Sequence, residues 1–132
     1  MNTLSPHIDI DLIENMRLVF DDATLIDLLQ EFANYLQQTR NELNEIPHEC
    51  NEAVRFLAVK LRGTASEYGA NRLADIARTM EQNLREGSRN AVDWRLLLRA
   101  EINETIVAYR NVTGRLQSMP ATEPKLKLVS CG

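Results

Sequence analysis

The chain has 132 residues, which suits one domain, since single domains commonly run to about 100–150 residues. With 44% hydrophobic and 26% charged residues it is not a disordered chain, and its net charge of −4 argues against a general nucleic-acid binder, which needs a basic surface. Five Gly, four Pro and 5% aromatic residues are too few for a Greek-key β protein and favour an all-helical chain.

In chain order, the segment from Met1 to Asp9 has no basic region, and Asp9 and Asp11 interrupt the only apolar run, so it does not read as a secretory signal. No stretch approaches the roughly 20 apolar residues of a membrane span, and a cytoplasmic protein is expected. Ile8, Ile10, Leu12, Ile13, Met16 and Val19–Phe20 predict a short N-terminal helix ending near Asp21. Asp21 or Asp22 caps the next helix, because an Asp carboxylate accepts from the free N–H groups of a first turn. That helix, over residues 23–45, carries Leu25, Leu28, Leu29, Phe32, Leu36, Leu43 and Ile46 on one face.

Pro47 ends this helix or opens the next. A third helix buries Val54, Leu57, Ala58, Leu61, Ala65 and Tyr68, and Gly69 ends it in a left-handed cap. A fourth follows at once, with Leu73, Ile76, Ala77, Met80 and Leu84 facing inward. Residues 87–90 form a turn with Asn90 as a cap. A fifth helix places Trp94, Leu98, Ile102, Thr105, Tyr109, Val112 and Leu116 at three- and four-residue steps. Short loops between long amphipathic helices make antiparallel neighbours, so residues 1–118 are expected to form an all-α, up-down four-helix bundle with a short N-terminal helix. Pro120 and Pro124 bracket a polar stretch, and residues 119–132 read as a flexible tail.

The most informative run is Ala58-Val59-Lys60-Leu61-Arg62-Gly63-Thr64-Ala65-Ser66-Glu67-Tyr68-Gly69-Ala70, continued by Leu73-Ala74 and Met80-Glu81. It resembles the signature of histidine-containing phosphotransfer (HPt) domains: Ala-His-x-Leu-Lys-Gly-Ser, a second Gly, then Leu-Ala and Leu-Glu. Leu61, Gly63, Gly69, Ala70, Leu73, Ala74 and Glu81 fall in register, with Arg62 for the Lys and Thr64 for the Ser. The flank from Asp21 to Phe32 also resembles the opening of the family's second helix, and the resemblance covers about residues 8–117. It implies an HPt-like bundle and, as partner, the receiver domain of a response regulator or a histidine kinase.

The position that the family gives to its phosphorylated histidine is held here by Val59. Imidazole is a competent nucleophile near pH 7, whereas an isopropyl group has no lone pair, so Val59 cannot take a phosphoryl group. His48 lies roughly 16 Å along the helix from Val59 and His7 belongs to the leader, so neither replaces the missing imidazole. His48, Glu49 and Cys50 are adjacent and point in different directions, which makes a poor metal site, and no metal or cofactor is expected. Cys50 and Cys131 make no disulfide framework, and the sequons at Asn103 and Asn111 sit in a helical pattern and read as chance matches. With no phosphate loop, ligand cluster or nucleophile beside a base, an enzyme is not expected.

Helical spacing makes Arg55, Phe56, Arg62 and Gly63 the neighbours of Val59, with Ser66 one turn further, and predicts that Val59 is exposed. Gly63 costs about 1 kcal/mol relative to Ala inside a helix, which points to close approach of a partner or of a neighbouring helix of the bundle. Arg55, Lys60 and Arg62 make a basic patch on an acidic chain, complementary to the carboxylate-rich pocket of a receiver. The resemblance places Glu81 and Arg85 of the fourth helix beside the missing histidine, where Glu81 would repel a phosphoryl group. The expected docking residues are therefore Arg55, Phe56, Val59, Lys60, Arg62, Gly63, Ser66, Glu81 and Arg85 on a non-phosphorylatable HPt-like protein that modulates two-component signalling. The alternatives are a scaffold or self-association bundle unrelated to receivers, and an active HPt domain with its histidine substituted. A monomer is expected, with a dimer through Phe56 and Val59 as the other outcome.

Overall fold

The computed structural model of the protein describes residues 7–86 and 91–118. In chain order its helices are α1 (Ile10–Val19), α2 (Asp22–Glu45), α3 (Asn51–Glu67), α4 (Asn71–Arg85) and α5 (Ala91–Ser118), and the described residues include no strand. The expected turn at residues 87–90, the Asn90 cap and the tail from 119 to 132 lie outside the described residues.

The helix starts follow the local chemistry. Asp21 Oδ1 accepts from the Thr24 N–H at 2.7 Å and caps α2, and Asp9 does the same for α1 through the Leu12 N–H at 3.2 Å. Pro47 closes α2 rather than opening α3, whose first turn begins four residues later at Asn51. Gly69 ends the α3 corner at φ +84°, a left-handed backbone that residues with a Cβ rarely adopt, so the turn calls for glycine.

Cross-helix hydrogen bonds show the relative direction of the helices. Asn44 accepts from Arg99, Asn103 from Arg40, and Gln37 from Arg110, so α2 and α5 run antiparallel along their length. Helix α3 packs on α4, α4 on α5 and α2 on α3, which closes the four-helix bundle, and α1 lies across the corner at Gly69. The fold is the all-α up-down bundle expected from the apolar spacing.

At the centre, Phe32 stacks on Tyr68 at 4.5 Å between ring centroids and meets Tyr109 edge-on at 4.8 Å. The Tyr109 hydroxyl donates to the Tyr68 carbonyl at 2.6 Å, and burial pushes its pKa above the ordinary tyrosine value. Leu28 and Trp94 are half-buried at the edge of the core, and Val19 at the end of α1 is 76% exposed, so the apolar stripe of α1 is shorter than expected.

Two buried charged side chains, Arg95 and Glu101, fall outside the apolar reading of α5. Arg95 lies in the inward stripe of α5 and is buried, with Nη1 donating to the Ile46 carbonyl and Nη2 to the Pro47 carbonyl, both at 2.6 Å. It thereby satisfies the carbonyls at the exit of α2, where a helix has no partners of its own. Glu101 is also buried and accepts from Arg72 Nε at 3.2 Å and His7 Nδ1 at 2.5 Å. His7 is thus half-buried against α5, a correction to its reading as part of a free leader: a carboxylate on α5 holds it. Thr105, buried beside them, donates its hydroxyl to the Glu101 carbonyl at 2.7 Å.

Arg95→Met is expected to lower stability by about 1–3 kcal/mol, because the carbonyls at the α2 exit lose a charged donor. The check is urea unfolding, where the midpoint should fall while the slope is unchanged. The Thr24 N–H holds the Asp21 carboxyl below the usual aspartate range. Its folded value lies below its unfolded value of about 3.9, so its contribution is present above that pH and is lost as pH falls through the folded value. Acid unfolding of Asp21→Asn should lack this component of the pH dependence.

Candidate functional site

Helix α3 buries Val54, Leu57, Ala58, Leu61 and Ala65, which turns Arg55, Val59, Arg62 and Ser66, at steps of four, three and four, to the neighbouring face. Val59 was expected to be open to water, and the structure corrects this: it is half-buried. The end of α2 packs beside α3, and Val59 lines a groove of about 570 Å³ with Glu42, Ile46, Ala53, Phe56, Leu57 and Lys60. Phe56 remains 59% exposed in this groove, and the Arg55 guanidinium lies over its ring at 5.1 Å. Lys60, Gly63 and Ser66 are exposed.

A Cβ built on Gly63 meets nothing within 4 Å. The neighbouring-helix explanation of this glycine therefore fails, and it leaves an open notch in the α3 surface one turn from Val59.

The basic patch acquires acids that its own sequence window lacks. Glu52, one turn before Arg55, accepts a hydrogen bond from it, which holds the Glu52 carboxyl below the usual range and raises the Arg55 guanidinium. Glu81 arrives from α4 and lies between the arginines. Its carboxylate is within 3.6 Å of Arg55 Nη1 and 3.9 Å of Arg62 Nη1, and it accepts from Arg85 Nη2 at 2.7 Å and Nε at 3.1 Å.

Glu81 was expected among the docking residues, but its side chain is only 5% exposed. The carboxylate is instead enclosed by the guanidiniums around it. The arginines remain accessible to different degrees: the side chain of Arg55 is 22% exposed, Arg62 40% and Arg85 63%. The local geometry therefore joins a basic rim from α3 and α4 to an apolar groove through Val59.

The other candidates stay apart from this face. His7 is held at Glu101, near the Gly69 corner, and His48 is exposed beside a smaller cavity lined by Leu43, Ile46, Arg95 and Arg99. Cys50 is a half-buried free thiol, and Cys131 lies outside the described residues. Among the described residues no group of three or more His, Cys, Asp or Glu side chains could hold a metal ion. None of the helices, over the described residues, is long and apolar enough to cross a membrane.

The family model for the Hpt domain matches residues 23–112, which takes in α2, α3, α4 and most of α5. The chain belongs to the Hpt domain family. No curated protein matches it, and no solved structure does. Family membership places the protein in phosphorelay signalling, where Hpt domains interact with receiver domains or kinases. The matched span contains the whole arginine cluster and Val59.

Replacing Glu81 by Gln should cost about 1–3 kcal/mol, less than for a fully buried pair because the arginines can relax into solvent. Thermal unfolding at low and high salt checks it: added salt should recover part of the loss by screening the uncompensated guanidiniums. Arg85→Gln, on the most exposed of the arginines, should cost less.

Proposed function

We propose that the protein is a non-phosphorylatable HPt-like docking protein of the cytoplasm, which binds a receiver domain or a histidine kinase and modulates a phosphorelay without carrying a phosphoryl group. The observation that carries this reading is Val59, half-buried on the signature helix where the resemblance calls for histidine. An isopropyl side chain has neither a lone pair to attack phosphorus nor a proton to exchange, so the module keeps its binding face and loses the transfer step.

Three further features support it. Phe56 and Val59 give the face an apolar centre, Gly63 leaves room for a close approach, and Lys60, Arg62 and Arg85 give it a basic rim. A positive rim steers encounter with an acidic pocket and contributes more to association rate than to final affinity. The protein then acts by occupying a partner's docking surface, as an inhibitor, adaptor or competitor, and is not itself an enzyme.

Incubation with a phosphorylated receiver, or with kinase and ATP, should leave this chain unlabelled. Label on the chain would overturn the proposal, and Val59→His shows whether the surrounding site can still support acceptance. Arg62→Glu should slow receiver association, with the largest effect at low ionic strength. A stable dimer by light scattering that buries Val59 and excludes receivers would favour the self-association reading instead.

A further inference from the structure

Arg95 carries a positive charge into the bundle at the exit of α2, where its side chain is buried. Nη1 and Nη2 donate to the Ile46 and Pro47 carbonyls, which bring only the partial negative charge of a helix end. The Nε–H is buried as well and has no hydrogen-bond partner. Among the described residues no carboxylate pairs with Arg95. A buried charge is ordinarily paired, and a buried N–H without an acceptor calls for one. The other buried charges among the described residues, Glu81 and Glu101, meet this requirement through arginine partners. Arg95 does not.

A cavity of about 240 Å³ opens beside it, between the exit of α2 and the first turns of α5. Arg95, Arg99 and His48 line it, Leu43, Ile46 and Leu96 give it an apolar wall, and no acid is among the described residues around it. Arg99 also lacks a carboxylate partner among the described residues. Its Nη1 donates to Asn44 Oδ1 at 2.7 Å, which fixes the guanidinium and leaves its other N–H groups for a ligand. His48 is exposed at the rim. On a chain of net charge −4, two guanidiniums without carboxylate partners and an imidazole around one cavity make a local field of opposite sign. The planar guanidinium fork matches a carboxylate, and the apolar wall suits a short hydrocarbon chain attached to it. The volume is below the roughly 300–1,000 Å³ of pockets for drug-sized ligands, so the occupant is small.

We propose that this cavity at the α2 exit binds a small organic carboxylate, whose oxygens accept from Arg99 and His48 and whose charge balances Arg95. The apolar end of the ligand lies along Leu43, Ile46 and Leu96. The site recognises and carries out no chemistry. It is separate from the arginine cluster of α3 and α4, and it does not rest on the docking reading.

The test is a titration of the full chain with sodium butyrate, sodium phosphate and sodium chloride at matched pH and ionic strength. It is followed by the Nε–H resonances of Arg95 and Arg99 and the ring resonances of His48. Butyrate should shift all three residues saturably and raise the thermal midpoint, and chloride should do neither. Phosphate should bind more weakly, because it leaves the apolar wall uncovered; equal or tighter phosphate binding overturns the carboxylate assignment. Shifts confined to Arg55, Arg62 and Arg85, or shifts that never saturate, overturn the site itself and leave the Arg95 N–H to solvent. Arg99→Gln should raise the butyrate Kd about tenfold, the loss of one charge-assisted hydrogen bond, and His48→Gln should raise it by a smaller factor. Both variants keep Arg95 and its carbonyl contacts, and circular dichroism checks that the helices are intact. A butyrate affinity that Arg99→Gln leaves unchanged overturns the inference.

Discussion

The antiparallel pairing of α3 with α4 through the Gly69 corner is the constraint on which the site depends. Ala58, Leu61 and Ala65 on one helix and Leu73, Ala77 and Met80 on the other are fully buried, and the small residues among them let the helices lie close. The left-handed backbone of Gly69 permits the chain to reverse within a few residues, and the Asp9 N–H donates to the Gly69 carbonyl at 2.8 Å to fasten α1 over the turn. With the corner in place, residue 81 must lie opposite residues 55 to 62. A carboxylate on α4 and guanidiniums on α3 are then brought together by the same packing that builds the core.

That meeting changes the electrostatic character of the face. A buried carboxylate is costly unless it is paired, and Glu81 has three guanidiniums near it. In return it gives the Arg85 guanidinium a fixed hydrogen-bond partner. The groove on the other side of Val59 contributes differently, through apolar surface with little charge. An HPt domain with histidine needs its reactive nitrogen at the centre of the face. Here the centre is aliphatic, and the guanidiniums of Arg62 and Arg85 lie to one side of it.

The two polar clusters that do not belong to this face have a structural place. Arg95 closes the end of α2, and Glu101 gathers His7, Arg72 and Thr105 further along α5. Each satisfies groups that helix packing removes from water, and together they hold the loop and the leader against the bundle.

The periodic leucines and alanines of α2 to α5, the cap at Asp21 and the turn at Gly69 are legible in the sequence as local signals, because capping and amphipathic spacing depend on residues within one or two turns. The signature run around Val59 likewise points to the family and to the face of α3 that carries the site. The burial of Glu81, the half-burial of Val59 and the anchoring of His7 are not legible in this way. Each depends on a residue or element far along the chain: Arg55 and Arg62 for Glu81, the end of α2 across the groove for Val59, Glu101 for His7. By itself the chain's order of residues determined the helices, their inward stripes and the aliphatic substitution at the signature position, since these are matters of local periodicity and residue chemistry. Which charges meet, how deeply they are buried and what space remains beside Val59 were decided only by tertiary packing, because Coulomb and desolvation energies follow distance in space rather than distance in sequence.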